Sequence, residues 1–501
     1  MRVIVADANL PGPPLADADY RGGNGTGRRS GWHKECYLLG ERHEWTTLLS
    51  RQQRPYAQYL YDTTQFPLSA ATMTPENLEP ELVVEDVAER SWMKRLGPGL
   101  ITGAADDDPS GIATYSQAGA QFGFGLLWTL LITYPLMVSI QLVSARMGRV
   151  TGRGLATNLR HHYPAPLLYL AVLVLLAANT INIAADLAAM GAAAKLVIGG
   201  PVQLYVALLG TVSLLMQVFI PYERYASVLK WLTLTLFAYV AIIFVIPIDW
   251  KGVGLSIVKP PIQFSGGYLT TVVAVLGTTI SPYLFFWQAS QEVEEIRSKP
   301  AEQALLRAPM QASAQLKRIN TDTWVGMAMS NGVAFFIMLA AAATLHAHHI
   351  EVKTTADAAT ALKPIAGNLA FALFSLGIIG TGLLALPVLA GSAAYAAAGA
   401  MKWRNSLALQ VNLAKQFYGV IAVAIVGGIA LTFMRLDPIK ALYWSAVING
   451  VAAVPIMVLV MVMAASPKVM GQFAVTGWLR WLGWLATFAM GLAAVGMFWP
   501  T

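Results

Sequence analysis

Residues 103–111 read Gly103-Ala104-Ala105-Asp106-Asp107-Asp108-Pro109-Ser110-Gly111, and they stand inside an apolar run that extends from about residue 97 to about residue 118. A helix facing lipid rejects such a stretch. A mid-membrane aspartate costs about 2.5–3.5 kcal/mol on insertion scales, so three in succession require water, a cation or protonation around them. Proline removes a helix hydrogen bond and frees carbonyl oxygens beside those carboxylates. The stretch predicts a membrane helix broken in mid-span. The alternative at this point is a packing kink at Pro109, with Asp106 and Asp107 close to an interface.

The surrounding sequence supports a membrane setting. Of 501 residues, 56% are hydrophobic and 12% charged, against roughly a quarter charged in soluble proteins. From Gly97 onward, apolar runs of roughly 20 residues recur, the length that crosses a hydrocarbon core of roughly 30 Å. About eleven spans are expected, near 97–118, 124–146, 166–190, 201–220, 228–247, 268–290, 323–345, 367–395, 414–434, 439–463 and 477–499. All should be helical, because backbone groups in lipid must bond within their own segment. The expected fold is an all-α polytopic membrane protein, with a hydrophilic tail over 1–92 and a transmembrane domain over 93–501. The tail is rich in Arg, Gly, Pro and Asp and reads as disordered, and Met73 is an alternative start.

Charge gives an orientation. With the N-terminus inside, the inner connections hold Lys94, Arg95, Arg146, Arg149, Arg153, Arg160, Arg297, Lys299, Lys317 and Arg318 among others. The outer ones hold few, such as Lys195, Lys251, Lys353 and Lys440. This asymmetry predicts a cytoplasmic N-terminus and, with an odd number of spans, an external C-terminus; the expected location is a bacterial inner membrane. Trp128, Trp231, Trp444, Trp478 and Trp499 lie near span ends, as interfacial anchors do. The net charge of +7 is spread over these connections rather than gathered in one patch, which argues against nucleic acid as a partner. Lone Cys36 excludes an internal disulfide framework and a cysteine metal cluster.

A second break is expected in the sixth span, at Gly277-Thr278-Thr279-Ile280-Ser281-Pro282-Tyr283. Interrupted helices at matching positions in two halves mark inverted-repeat transporters. Spans one to five and six to ten would be the repeats, with the eleventh an addition. Unwound backbone supplies carbonyl oxygens, Asp108 supplies charge, and Thr279 or Ser281 can supply a hydroxyl. Such an all-oxygen shell suits a hard cation such as Mg²⁺ and leaves Mn²⁺ open.

At these residues the chain resembles the natural resistance-associated macrophage protein (NRAMP) family of divalent metal transporters. The resemblance runs from Gly97 to Trp499 and rests on Gly97-Pro98-Gly99, Asp108-Pro109-Ser110-Gly111-Ile112-Ala113-Thr114, Gln117-Ala118-Gly119-Ala120-Gln121-Phe122-Gly123, Ser144-Ala145-Arg146-Met147-Gly148 and Ile183-Ala184-Ala185-Asp186-Leu187-Ala188. It implies a LeuT-type fold, a 5+5 inverted repeat and alternating access. The departures are specific. Gly111 stands where the family has a metal-binding Asn, Ser281 where it has a Met, and Tyr283 where it has a His. Asn179 and Ala189 replace the acidic residues that flank Asp186, and Lys415-Gln416 falls near the family's arginine pair. Loss of the sulfur removes the preference for transition metals, and smaller residues leave space for a partly hydrated Mg²⁺. Tyrosine does not titrate near neutral pH as an imidazole does. The pattern is similar to the NRAMP-related magnesium transporters, which implies Mg²⁺ and Mn²⁺ transport without a coupled proton.

The candidate metal-facing residues are therefore Asp108, Gly111, Thr278, Thr279 and Ser281. Asp107, Tyr283, Asp186, Asn179 and Asn449 are candidates for the cavity or pathway, with helix-packing contacts as the alternative for Asp186 and Asn449. Glu292, Glu294 and Glu295 read as a solvated run facing the cytoplasm, and His346, His348 and His349 as a solvated loop. The partners expected are the transported ion and the bilayer; no cofactor is expected, and the sequence sets no oligomeric state. Other functions stay open. A proton-coupled Mn²⁺/Fe²⁺ symporter needs titratable partners, and an amino-acid symporter of the same fold would set three carboxylates against its substrate's own. An open channel does not need paired helix breaks, and no nucleophile with a base or cofactor motif supports an enzyme.

Overall fold

The computed structural model describes residues 98–221, 224, 234–434 and 437–498. The expected tail over 1–92, Met73, Lys94, Arg95, Trp231 and Trp499 lie outside the described residues. Every regular element among the described residues is helical.

The first span is split into α1 (Pro98–Asp106) and α2 (Pro109–Phe122), followed by α3 (Leu127–Thr151), α4 (Ala165–Ile198) and α5 (Val202–Phe219). The sixth predicted span is likewise split into α6 (Gly266–Thr279) and α7 (Pro282–Ser298). Then come α8 (Ala312–Thr344), α9 (Ala370–Met401), α10 (Lys415–Thr432), α11 (Pro438–Ala465) and α12 (Gly477–Gly496). Nine helical stretches among the described residues are long and apolar enough to cross a membrane.

Both breaks fall where the residue pattern puts them. Asp108 is the N-cap of α2, its Oδ1 accepting the Gly111 N–H at 2.7 Å, and Pro109 takes the first helical position. An acidic cap followed by proline is a helix start, so the chain begins a new helix instead of continuing α1. Ser281-Pro282 does the same for α7, but the Ser281 hydroxyl turns back and donates to the carbonyls of Gly277 at 2.8 Å and Thr278 at 3.0 Å.

The broken helices occupy the middle of the bundle. α1 and α2 pack along α8, α6 packs along α11, α7 along α3, and α4 against α9, α10 and α11. Small residues let these backbones close up, as lipid-embedded helices require. A Cβ added to Gly277 would stand 2.1 Å from the Ala446 carbonyl oxygen, and one on Gly103 2.3 Å from that of Gly326. Large apolar side chains such as Leu173, Phe219, Val423 and Phe488 remain exposed on outward faces, where lipid would cover them.

Three expectations are corrected. The fifth predicted span, 228–247, lies partly outside the described residues. Its described part is a 3₁₀ turn, the short helix Phe237–Ala241 and a second 3₁₀ turn rather than one spanning helix. The helix of the seventh span begins at Ala312, not near 323: Lys317 in its first turns is exposed, and Arg318 and Asp322 are met by neighbours. Asp322 Oδ2 accepts the Gly99 N–H at 2.7 Å, capping α1, and Arg318 pairs with Glu292 at 2.6 Å and Glu295 at 3.2 Å.

The acidic run after the sixth span is also not a solvated face. Glu292 is fully buried on Arg318, while Glu294 accepts from Ser406 at 2.6 Å, Tyr395 at 3.1 Å and Arg297 at 3.3 Å. Ion pairs continue from Glu295 to Lys299 at 2.5 Å, Lys299 to Glu302 at 3.3 Å and Glu302 to Arg149 at 2.6 Å. Arg149 of α3, Arg318 of α8, Tyr395 of α9 and Ser406 come from distant stretches of sequence, while Arg297 and Lys299 are neighbours along the chain. His346 is exposed, and its Nδ1 lies 2.8 Å from the Ala120 carbonyl oxygen at the end of α2.

Candidate functional site: a carboxylate between two helix gaps

The gap between α1 and α2 brings Asp108 against the gap between α6 and α7. While Oδ1 of Asp108 caps α2, its Oδ2 accepts from the Tyr283 hydroxyl at 3.2 Å and from Asn182 Nδ2 of α4, also at 3.2 Å. Three helices thus converge on one buried carboxylate. A cation arriving at Oδ2 would replace two of these donors.

Gly111 faces α6 across the same space. A Cβ there would lie 3.2 Å from Thr278 Oγ1, 3.3 Å from the Tyr115 ring and 3.6 Å from the Asp106 carbonyl oxygen. Glycine therefore keeps open a small volume bordered by a hydroxyl and a peptide oxygen. The other hydroxyls are engaged with their own helix: Thr279 donates to the Val275 carbonyl at 2.7 Å, and Ser281 to the last turn of α6. A hydroxyl oxygen that donates still has lone pairs to offer a cation.

Asp107 and Asp106 turn the other way, toward α8, where the Ser330 hydroxyl lies 2.6 Å from Asp106 Oδ2 and 3.2 Å from Asp107 Oδ1. Asp186 is fully buried near the α2 N-terminus, approached by the Ser110 N–H, but neither of its oxygens has a well-formed hydrogen bond. Asn179 is not brought to Asp108. Its amide donates to the Leu389 carbonyl at 2.8 Å and Ser392 Oγ at 2.9 Å, linking α4 to α9. Asn449 is buried on α11 beside Gly450, the residue that closes on Gly277. Ser110 ties α2 to the same helix through the Leu442 carbonyl at 3.1 Å.

Sequence reasoning missed Ser330 and gave Asn182 no role of its own. The signal for the first was a line of polar residues, Thr323, Ser330 and Asn331, in an otherwise apolar span. For the second it was spacing, since Asn182 lies one turn before Asp186.

Residues 99–500 match the Natural resistance-associated macrophage protein-like family. The chain belongs to this family. It is an integral membrane transporter, not an enzyme, and its fold is LeuT-type. Among NRAMP relatives, the divalent metal cation transporter MntH of Klebsiella pneumoniae subsp. pneumoniae is 25% identical over 409 residues, covering 79% of this chain and 92% of that protein. MntH of Burkholderia ambifaria is 26% identical over 400 residues, covering 78% and 85%. A manganese transporter from Eremococcus coleocola superimposes with a TM-score of 0.65 at 17% identity, over 81% of this chain and 86% of that one. That structural likeness bears on the NRAMP fold.

Proposed function

We propose that this NRAMP-family chain carries a divalent metal cation, Mg²⁺ foremost and Mn²⁺ with it, by alternating access around Asp108. The observation that carries the reading is the Asp108 carboxylate, reached from α2, α4 and α7 and bordered by Gly111 and Thr278 with no sulfur at position 281. Asp108 supplies charge, and Thr278, Ser281 and the peptide oxygens beside the gaps supply neutral oxygens. Gly111 adds no side chain to compete with the water that Mg²⁺ prefers to keep. Thr279 and Tyr283 shape the wall, with Asp107, Asn449 and Asp186 lining the route. The protein sits in a bacterial plasma membrane with its N-terminus in the cytoplasm.

Transport is not coupled to protons in this reading, because tyrosine occupies the histidine position at 283. One observation favours a second reading, a proton-coupled Mn²⁺ symporter: Asp186 is a buried carboxylate without a formed hydrogen bond, within electrostatic reach of Asp108. Proteoliposomes loaded with both a Mg²⁺ indicator and a pH indicator separate the two. Mg²⁺ entry at constant internal pH is the expected result, whereas acidification that follows the metal establishes the symporter.

A further inference from the structure

Away from the Asp108 gap, a cavity of about 70 Å³ opens among Gly152–Thr157, Ser290 of α7 and Asn405. A single water needs about 10–15 Å³ measured this way, so the space admits a tetrahedral oxyanion with its water. Its floor is the start of the helix Leu155–His162, whose N-cap is Gly154 and whose first turn has no side-chain cap. Those N–H groups carry the positive end of the helix and have no acceptor of their own kind to meet.

A second observation comes from the opposite wall. Ser290 is 5% exposed, lines the cavity and makes no hydrogen bond within the described residues. A Cβ on Gly154 would stand 3.2 Å from its hydroxyl oxygen, so the glycine lets the turn come up to Ser290. The charged neighbours are asymmetric. Arg153 is exposed at the rim and Arg297 lines the wall, while the one acidic group there, Glu294, already has both oxygens taken by Ser406, Tyr395 and Arg297. Donors that are buried or fixed, with cationic rims, are what a phosphate-class anion requires.

We propose that this cavity binds a phosphate-class oxyanion, held by the N–H groups of 154–157, the Ser290 hydroxyl and Arg153. A bound anion joins the turn after α3 to α7, the half-helix that reaches Asp108 through Tyr283, and so fastens that end of the transport path. The claim is independent of which metal is carried.

Inorganic phosphate titrated calorimetrically into the full-length protein in phosphatidylcholine nanodiscs tests it, with chloride as control. The expected result is saturable phosphate binding that sulfate competes for, weakened about tenfold or more in Ser290→Ala and in Arg153→Gln. Both variants should keep the native thermal midpoint in the absence of phosphate. Discs containing phosphatidylglycerol identify the source: blocked phosphate binding assigns the site to a lipid headgroup, and unchanged binding assigns it to a free anion. Absence of saturable binding in phosphatidylcholine discs, or equal affinity in both variants, overturns the proposal.

Discussion

The Tyr283 hydroxyl lies 3.2 Å from Asp108 Oδ2, so the first turn of one half-helix is bonded to the residue that caps another. The oxygen it shares with Asn182 Nδ2 is the one left to meet an ion, because Oδ1 is committed to the Gly111 N–H. In the proposed site Tyr283 would therefore be at once a wall and a competitor for the ion. Removing its hydroxyl should tighten metal binding. Tyr283→Phe is expected to bind Mg²⁺ about three- to tenfold more tightly, the range that one ordinary hydrogen bond of about 0.5–1.5 kcal/mol covers. Calorimetric titration checks this, and weaker binding would mean that the hydroxyl helps hold the ion.

Selectivity should follow position 281. Ser281 presents only oxygen, and in Ser281→Met a thioether would enter while the Gly277 and Thr278 carbonyls lose their hydroxyl partner. Soft ligands favour Mn²⁺ and Cd²⁺ over Mg²⁺. Competition flux assays should show the Mn²⁺ to Mg²⁺ preference rising by about tenfold, equivalent to about 1.4 kcal/mol. An unchanged ratio would remove position 281 from the ion's surroundings.

Gly277 sets the distance between α6 and α11. With a Cβ only 2.1 Å from the Ala446 carbonyl oxygen and 2.5 Å from the Gly450 nitrogen, Gly277→Ala must push two backbones apart. Overpacking of this kind costs about 1–3 kcal/mol. A lowered thermal midpoint in detergent is expected, together with reduced flux, since α6 carries Thr278.

The ion-pair chain gives a pH dependence. Burial alone would raise the Glu302 carboxyl, yet the hydrogen bond and charge of Arg149, joined by Lys299, hold it below its ordinary value. A carboxylate depressed in the folded state adds stability above its unfolded value, and that stability is lost as pH falls through the folded one. Thermal midpoints taken from pH 7 downward should fall more steeply in the native protein than in Glu302→Gln once the ordinary carboxylate range is crossed. Parallel curves would show that the pair contributes nothing.

Much of this was legible in the sequence because lipid makes violations costly. Asp108-Pro109 and Ser281-Pro282 interrupt apolar runs, and both breaks stand where those residues predict them. What escaped was whatever depended on distant partners. Asn179 and Asn182 share a helix face on paper, but α9 claims the first and Asp108 the second. Ser330, the partner of Asp106 and Asp107, lies more than 200 residues away. Glu292 looked solvated only because Arg318 could not be foreseen across the turn that joins α7 to α8.

The most direct test is isothermal titration of Mg²⁺ into the purified native protein and into Asp108→Ala. Saturable binding in the native protein, weakened beyond about tenfold or lost in a variant that keeps its fold, is the predicted result. Equal affinity in the two proteins would contradict the assignment of Asp108 as the ion's charged ligand, and with it the transport site proposed above.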